Sequence, residues 1–350
     1  MASPLYLPAE WEPQSCIQLT WPDGHTDWAP YLDAITKTFI ELAQAITRYE
    51  RLIIAAADAD AVRSLLDKVL DPNQRSRVKV YPCPINDTWA RDHAPLTLTS
   101  HDDDLPSKRP RHRLLNFRFN GWGEKFDWQK DNQISANLYR QGAYNGELEN
   151  HDDFVLEGGS VESDGKGTVF TTACCLLAPH RNQPLTEAGI TERLKLWLHA
   201  DRIVWLHHGQ LRGDDTDGHI DTIVRTCPND TLAYVSCEDP EDEQYADFKA
   251  LEEELKTLTT LDGRPYRLLP LPMPRRMEDD GYRLPATYAN FVILNGAVLV
   301  PTYQQPDNDE QAKAVIAKAF PDRVIIGIDA STVVRQHGSL HCLTMQFPAD

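Results

Sequence analysis

The chain has 350 residues, of which 41% are hydrophobic and 25% are charged. This composition is typical of a globular protein with a large core, and it excludes a disordered or fibrous chain. The formal net charge of −18 argues against nucleic acid as a partner, because phosphate binding calls for a basic surface.

No apolar run reaches the roughly 18 residues that a membrane helix needs, so no membrane association is expected. Residues 1–12 lack the basic and apolar pattern of a signal peptide. The seven cysteines follow no disulfide or zinc-site spacing, which favours free thiols and a cytoplasmic location.

Six times along the chain, a stretch of helical pattern is followed by a short β-branched strand. The predicted pairs are 31–48 with 52–54, 59–70 with 78–81, 133–140 with 154–156, 185–199 with 203–206, 245–258 with 266–269, and 309–320 with 324–326. Strand pairs joined by turns are predicted between these units, at residues 163–173, 222–237 and 291–302. The polar segment 100–113 predicts an exposed hairpin loop.

The repeating unit is roughly a strand, a hairpin, a helix and a strand, and it recurs about five times at uneven intervals of 50 to 75 residues. Repeats of this length favour an array closed around an axis, such as a propeller. A generic α+β protein without symmetry fits the same pattern. Since no linker divides the chain, residues 1–350 are predicted to form a single domain.

Polar segments follow several of these strands. They lie at residues 87–92, 157–159, 214–221 and 338–342. Loops that follow strands are where binding groups collect on a rigid scaffold. If the units share an axis, these four segments converge on one pocket.

The segment 213–221 surrounds a single histidine with polar and charged side chains. If it forms a strand, His219 and Asp221 point to one face and provide a general acid/base and a fixed carboxylate. An acidic surface turn is the alternative interpretation. A metal site through His207, His208 and His219 is disfavoured, because no second cluster offers matching ligands.

Cys342 follows Gly338 and Ser339, which permit a close backbone approach to a ligand. A lone cysteine is usually a small buried hydrophobic residue, and the other six cysteines are interpreted in that way. Cys342 differs because a distant histidine and aspartate could activate it as a nucleophile. His341 would point to the opposite face of a strand, and it is therefore not proposed as the base.

Two further segments carry polar groups. Trp89 and Asp92 are three residues apart, so the ring could stack on a planar cation while the carboxylate pairs with it. An exposed loop with an Arg91–Asp92 pair is the alternative. Glu157 stands before two glycines at a strand end, where it could orient a histidine or cap a turn.

Together and in this order, the segments resemble the agmatine deiminase family of the guanidine-modifying, or pentein, enzymes. The matching stretches are Trp21 and Pro22 with Trp28, then residues 86–95, 156–160, 213–225, 284–291 and 338–344. The resemblance covers nearly the whole chain. Each motif is weak by itself, but six in order are specific.

The resemblance implies a five-bladed α/β propeller built from pseudo-fivefold repeated ββαβ units, with the active site near the axis. It implies hydrolysis of agmatine to N-carbamoylputrescine and ammonia, a step from arginine to polyamines such as putrescine. No cofactor and no metal are expected. The substrate is expected to be a small cationic guanidine compound, and a homodimer is plausible for the family.

The resemblance also implies residue roles. Cys342 matches the nucleophile that forms a covalent amidino-thioether intermediate, and His219 matches the general acid/base. Asp92 and Asp221 match the carboxylates that grip the guanidinium nitrogens. Glu157 matches the acid that orients the histidine.

The group that holds the distal amine is left open, with Trp89, Asp215 and the 10–11 segment as candidates. Residues 93–94, 303–306 and 338–339 depart from the common family pattern. None of these positions is a proposed catalytic group, but they bear on the shape of the substrate channel.

Three alternatives remain. The substrate could be free or peptidyl arginine, which for free arginine requires a cation for the α-carboxylate, and Arg91, Arg212 and Arg225 are the arginines in the site segments. The chain could be a pentein-fold binding protein without activity, although the full set of catalytic residue types argues against this. A Cys–His protease lacks any local signature.

Overall fold

A computed structural model describes residues 5–100 and 111–349, which form a mixed α/β fold. Within these residues, five sheets of three or four strands and one two-stranded hairpin are present. The strands are β1 (Leu5–Tyr6), β2 (Gln14–Thr20), β3 (Arg51–Ala56), β4 (Val78–Pro82), β5 (Leu96–Ser100), β6 (Arg113–Arg118), β7 (Glu147–Val155), β8 (Val161–Ser163), β9 (Thr168–Thr172), β10 (Arg202–Leu206), β11 (Val224–Cys227), β12 (Thr231–Ser236), β13 (Arg267–Pro272), β14 (Glu278–Asp279), β15 (Tyr282–Arg283), β16 (Val292–Ile293), β17 (Ala297–Thr302), β18 (Val324–Asp329) and β19 (Thr344–Pro348).

Helices connect the strands of each sheet. They are α1 (Leu32–Tyr49), α2 (Ala59–Val69), α3 (Pro72–Ser76), α4 (Ala90–His93), α5 (Gly121–Glu124), α6 (Ile134–Arg140), α7 (Ala173–Leu176), α8 (Glu187–Trp197), α9 (Tyr245–Lys256) and α10 (Pro306–Ala319). Short 3₁₀ turns include Gly158–Ser160, Ile220–Thr222 and His341–Leu343. No helix among the described residues is both long enough and apolar enough to cross a membrane.

The five larger sheets share one connection pattern, which confirms the predicted repeat. In each sheet an antiparallel pair is followed by a helix and then by a parallel strand, because a parallel neighbour can be reached only by a crossover. The antiparallel pairs are β5–β6, β8–β9, β11–β12, β16–β17 and β19–β2, and the parallel pairs that follow them are β6–β7, β9–β10, β12–β13, β17–β18 and β2–β3. The last unit combines β19, near the C-terminal end, with β2, near the N-terminal end.

The predicted helices and strands are present, with boundaries that shift by a few residues. The largest difference is β7, for which only residues 154–156 were predicted as strand. It begins at Glu147 because its first residues pair with β6 at the edge of a sheet. Those residues are polar and mostly exposed, so they lack the hydrophobic alternation that marks a strand. The tip of the predicted loop at 100–113 lies outside the described residues.

The helices bury apolar faces against their own sheets. In α1, Ile35, Phe39, Leu42 and Ile46 recur every three or four residues and are fully buried. That spacing places them on one helical face, which packs on β3. The sheets therefore form rigid supports for the turns at their ends.

Four short elements lie in mutual contact, and each directly precedes the first strand of a repeating unit. Helix α4 precedes β5, and the turns Gly158–Ser160, Ile220–Thr222 and His341–Leu343 precede β8, β11 and β19. Helix α4 contacts the first and third turns, and the first turn contacts the second. The polar segments predicted from the sequence therefore meet at one place.

Candidate active site

Cys342 lies at a cleft of about 180 Å³. The side chain is 5% exposed, and its backbone N–H donates to Asn290 Oδ1 at 3.2 Å. The prediction that Cys342 and the pair His219 and Asp221 lie on strands was wrong. Cys342 and Asp221 belong to 3₁₀ turns just before strands, and His219 directly precedes the second of these turns. The β-branched residues that follow do not reveal this conformation.

The thiol of Cys342 is poorly disposed to ionise in the free protein. Burial raises its pKa well above the ordinary value, and the negative charges of Asp221 and Asp92 raise it further. A cation placed between these carboxylates would offset both effects. The site is therefore suited to a nucleophile that becomes reactive when a cationic substrate arrives.

Asp92 is the first of the two carboxylates beside the thiol. Its Oδ2 accepts from Trp122 Nε1 at 2.9 Å, and its Oδ1 accepts from the N–H of Gly159 at 3.1 Å. Burial raises the pKa of Asp92 to about 6 and the charge of Asp221 adds to this, although His219 and the Trp122 hydrogen bond act in the opposite direction. A cation bound beside Asp92 would therefore stabilise its ionised form.

Asp221 is the second carboxylate, and it is fully buried. Its Oδ2 accepts from His341 Nδ1 at 2.7 Å, whereas its Oδ1 has no hydrogen-bond partner within residues 5–100 and 111–349. Burial acts to raise the pKa of Asp221, but the hydrogen bond and charge of His341, together with the charges of His219 and Arg225, outweigh burial and lower it. Asp221 is thus an ionised carboxylate with one oxygen left for a ligand.

His219 lies between the carboxylates, with Nδ1 3.6 Å from Asp92 Oδ1. Neither of its ring nitrogens has a hydrogen-bond partner in the described part of the chain, and the ring is fully buried. Unpartnered buried nitrogens are costly unless a ligand or water uses them. A carboxylate oxygen of Glu157 lies within 4.8 Å of a ring nitrogen of His219. The carboxylate of Glu157 accepts a hydrogen bond from Arg181 Nε at 3.0 Å.

Gly159 permits the close approach of these groups. A Cβ at this position would lie 2.6 Å from His219 Nδ1, which is closer than real Cβ atoms come, and a tight 3.0 Å from Asp92 Oδ1. We expect Gly159→Ala to lower kcat/KM by about 100-fold, the cost of displacing a reacting group by about 1 Å.

A matched control is Gly189→Ala in helix α8, where the added methyl group makes only ordinary contacts of 3.5 Å or more. We expect this variant to keep full activity and to unfold no earlier than the wild type. Equal activities of the two variants would show that the crowding at Gly159 is unimportant.

Two groups of side chains could in principle hold a metal ion. Within the described ranges, ligand atoms of Glu157, Cys175 and His219 lie within 4.8 Å of one another, as do those of Glu10, Glu162 and His341. Arg181 already pairs with Glu157, and Arg225 already pairs with both Glu10 and Glu162. A buried guanidinium beside each set disfavours a divalent cation. His207 and His208 instead pair with Glu254 and Asp247.

The remaining candidates lie at the mouth of the cleft or away from it. Trp89 and Asp215 line the cleft, and Trp89 Nε1 donates to Asp87 Oδ2 at 3.0 Å. Burial raises the pKa of Asp215. Glu10, in the third candidate segment, pairs with Arg91 and Arg225 and is not part of the cleft lining.

Four contributors were missed from the sequence: Trp122, Asn290, Arg181 and His341. Each contacts a predicted site residue from a distant part of the chain. A histidine beside the cysteine was the one available signal. It was set aside because a strand was assumed there, whereas the 3₁₀ turn directs His341 toward Asp221.

The chain resembles known proteins over nearly its whole length. The profile of the Porphyromonas-type peptidyl-arginine deiminase family matches residues 6–348. A candidate arginine deiminase from Porphyromonas gingivalis is 48% identical, with a TM-score of 0.90 and 98% of each chain covered. A cysteine-to-serine variant of an agmatine deiminase from C. jejuni, solved with substrate bound, is 34% identical, with a TM-score of 0.89 over 99% of this chain and 96% of that chain.

A dimethylarginine dimethylaminohydrolase is 14% identical with a TM-score of 0.50 over 95% of this chain and 100% of that chain, and it shares the fold. The fold and the site thus define a pentein-type, guanidine-modifying protein, which confirms the resemblance found in the sequence. The chain belongs to the Porphyromonas-type peptidyl-arginine deiminase family. It is a hydrolase that acts on a carbon–nitrogen bond of an amidine group.

Proposed function

We propose that the enzyme is an agmatine deiminase, which hydrolyses agmatine to N-carbamoylputrescine and ammonia. Cys342, His219, Asp92 and Asp221 would carry the reaction in a single catalytic domain that spans the chain. The five ββαβ units would surround the site as the blades of a propeller. In this proposal the product feeds putrescine synthesis from arginine, in the cytoplasm.

The charge of the cleft is the observation that carries this choice of substrate. Five aspartates line it: Asp27, Asp87, Asp92, Asp214 and Asp215. The one arginine in the lining, Arg335, pairs with Asp279 at 2.8 Å. Agmatine carries a cation at both ends, whereas arginine ends in a carboxylate that this lining would repel.

The wall of the cleft suits the alkyl chain between those cations. Trp89, Trp122 and Phe126 line it, and burial raises the pKa of Asp87 at its mouth to about 6. A distal ammonium group close to Asp87 would favour its ionised form. We therefore place the distal amine near Asp87, with the Trp89 ring beside the chain.

In the first chemical step, Asp92 and Asp221 hold the guanidinium carbon near the sulfur of Cys342. The bound cation promotes transfer of the thiol proton to His219, and the thiolate attacks the carbon. A carbon–nitrogen bond then breaks while His219 passes its proton to the departing ammonia. The result is a covalent amidino-thioether on Cys342.

In the second step, His219 takes a proton from water, which attacks the same carbon. The carbon–sulfur bond breaks, one proton of the water goes to the sulfur of Cys342, and the other is released to solvent, where it converts the ammonia that left in the first step to ammonium. One histidine can serve both steps because ammonia has left before water enters. Agmatine, one water molecule and the side chains of the protein account for every atom and proton in these two steps.

The proposal is tested by ammonia release from agmatine, free arginine and an arginine-containing peptide. We expect kcat/KM for agmatine to exceed that for arginine by about 100-fold or more, since a distal cation is exchanged for a zwitterion beside Asp87 and Asp215. Turnover of arginine or of the peptide without turnover of agmatine would overturn the substrate assignment. Silence on all three would favour a binding protein.

The acid limb of the pH profile reports Asp92. Its pKa of about 6 in the free protein lies above the usual value for an aspartate, so the carboxylate is increasingly protonated as the pH falls below that value. The guanidinium ion requires the ionised form of Asp92. Asp87, which we place beside the distal amine, has a pKa that is also raised to about 6, so we expect log kcat/KM for agmatine to fall below pH 6 with a slope between one and two. A profile that stays flat down to pH 4.5 would contradict the role of Asp92.

A further inference from the structure

A row of charged side chains lies directly behind Asp221. His341 donates from Nδ1 to Asp221 Oδ2 at 2.7 Å, and its Nε2 lies 2.9 Å from both carboxylate oxygens of Glu10. Asp221 and His341 are 0% and 1% exposed. The imidazole therefore bridges the buried carboxylate of Asp221 and a carboxylate of the N-terminal segment, with Asp221 and His341 out of contact with solvent.

The hydrogen-bond geometry defines the protonation of His341. An ionised carboxylate only accepts hydrogen bonds. A lone pair on Nε2 would face two oxygens of Glu10 at 2.9 Å, which is repulsive. In a neutral ring this lone pair could instead accept from Arg225 Nη2 at 3.0 Å, but the carboxylates of Glu10, Glu162 and Asp221 would then face only two guanidinium groups, those of Arg91 and Arg225. A protonated ring removes both the repulsion and the excess of buried negative charge, so we treat His341 as an imidazolium ion between Asp221 and Glu10.

Two arginines and a second glutamate complete the set. Arg91 Nη1 donates to Glu10 Oε1 at 2.9 Å, and Arg225 Nη2 donates to Glu10 Oε2 at 2.7 Å. Arg225 Nε donates to Glu162 Oε1 at 2.5 Å. The set then balances three cations, Arg91, Arg225 and His341, against three anions, Glu10, Glu162 and Asp221. Buried charges are tolerated only when they are paired in this way.

We propose that His341 is a positioning residue for the deimination reaction, which holds Asp221 ionised and turns Asp221 Oδ1 toward the substrate, while Glu10 fixes the imidazolium ring. The inference rests on the proposed function, because Asp221 is the carboxylate that grips the guanidinium ion. The free Oδ1 of Asp221, unpartnered among the described residues, is the atom that this arrangement presents.

The two carboxylates that would bind the guanidinium ion, Asp92 and Asp221, then differ in the charge of their hydrogen-bond donors. Asp92 accepts its hydrogen bonds from the indole of Trp122 and the amide of Gly159, both uncharged donors. Asp221 accepts from a cation. The charged or titratable groups that face Asp221 are His341, His219, Arg225, Asp92 and Cys342. One carboxylate is therefore ionised throughout the working pH range, and only the other titrates near pH 6.

Replacement of His341 by glutamine or by asparagine distinguishes the hydrogen bond to Asp221 from the hydrogen bond to Glu10. Asparagine places its amide near the position of Nδ1 and can still donate to Asp221, whereas glutamine reaches the position of Nε2 and faces Glu10. We expect His341→Gln to raise KM for agmatine by at least about tenfold, the value of one charge-assisted hydrogen bond, with a smaller change in kcat. His341→Asn should lie between His341→Gln and the wild type.

The pH profile provides a readout that a merely structural role would not move. Removal of the imidazolium charge should raise the pKa of Asp221, so below pH 6 log kcat/KM should fall more steeply than in the wild type, by up to one further unit of slope. His151→Gln is the matched control, because it removes another buried histidine that lies 3.0 Å from a carboxylate, Glu149, outside the site. It should change the melting temperature and leave the slope as it is in the wild type.

A double-mutant cycle tests whether His341 acts through Asp221. In the Asp221→Asn background, His341→Gln should add less than about a twofold further loss, because interacting residues are not additive. Additive losses would overturn the inference. A folded His341→Gln variant with an unchanged acid limb and an unchanged KM would also overturn it.

Alkylation of Cys342 supplies a test that does not depend on agmatine turnover. 2-Chloroacetamidine is a planar cation that the two carboxylates can grip, and 2-chloroacetamide is its neutral counterpart. The wild type should prefer the cation, and His341→Gln should lower that preference by about tenfold. A retained preference would overturn the role of His341, whereas silence of the wild type toward agmatine would overturn only the proposed substrate. If His341→Gln does not fold, His341→Asn carries the same comparisons.

Discussion

Cys342→Ala should abolish ammonia release from agmatine, with kcat at least about 10⁴-fold below that of the wild type, because removal of a nucleophile leaves only binding and electrostatic contributions. The expectation follows from the position of the thiol beside Asp92 and Asp221, whose charges raise its pKa. Substrate binding should survive, since the variant keeps both carboxylates. Calorimetric titration with agmatine measures that binding separately from turnover.

The control for this variant is Cys174→Ala. Cys174 is the one exposed cysteine among the seven, and it does not line the cleft. It should retain the activity and the melting temperature of the wild type. Residual activity within tenfold of the wild type in Cys342→Ala would rule out the covalent mechanism.

Asp92→Asn should produce the second large effect, a loss in kcat/KM of about 10² to 10⁴-fold. The substitution removes one of two charge-assisted contacts to the substrate, each worth about 1.5 to 3 kcal/mol. It also removes one of the two carboxylates beside the thiol that would bind the guanidinium ion. The substrate would then be held less firmly beside Cys342 and would promote ionisation of the thiol less. Steady-state kinetics at pH 8 measures the loss.

The same variant should be no less stable than the wild type at pH 8. The pKa of Asp92 is raised to about 6 in the folded protein, so the folded state binds its proton more tightly than the unfolded state does. Ionisation of Asp92 above pH 6 therefore costs the folded state free energy, and asparagine removes that cost. A melting temperature several degrees lower at pH 8 would show that Asp92 stabilises the fold instead.

Asp247→Asn on helix α9 is a control that should affect stability and not catalysis. Asp247 accepts hydrogen bonds from the backbone N–H groups of Gly209 and Gln210 and lies outside the cleft. Its loss should lower the melting temperature slightly and leave kcat/KM unchanged. The two aspartates would then separate stability from catalysis.

Much of the fold could be predicted because its information is local. Short stretches of sequence predict the buried face of α1 and the turns at residues 163–165, 228–230 and 295–296 inside the predicted strand pairs. The structure contains each of them. The polar start of β7 could not be predicted, because its strand conformation comes from pairing with β6 and not from its own pattern.

The meeting of the candidate site residues was predictable where a short motif marked each of them. Asp92, His219, Asp221 and Cys342 each stand in a distinctive segment, and the structure brings these segments together. The Glu10–Arg225–His341 set could not be found in this way. Its members lie up to 331 residues apart, and any one of them in isolation is an ordinary charged residue.

The alkylation of Cys342 by 2-chloroacetamidine tests most directly whether two carboxylates present a planar cation to this thiol. The reaction is followed by peptide mapping beside 2-chloroacetamide, with Cys174 as the internal reference for an exposed thiol. We expect the cation to modify Cys342 at least about 100-fold faster than the neutral reagent does, the value of the charge-assisted contacts, with no such preference at Cys174 and with protection by agmatine. Equal rates for the two reagents at Cys342, or modification of Cys174 instead, would contradict the proposed site.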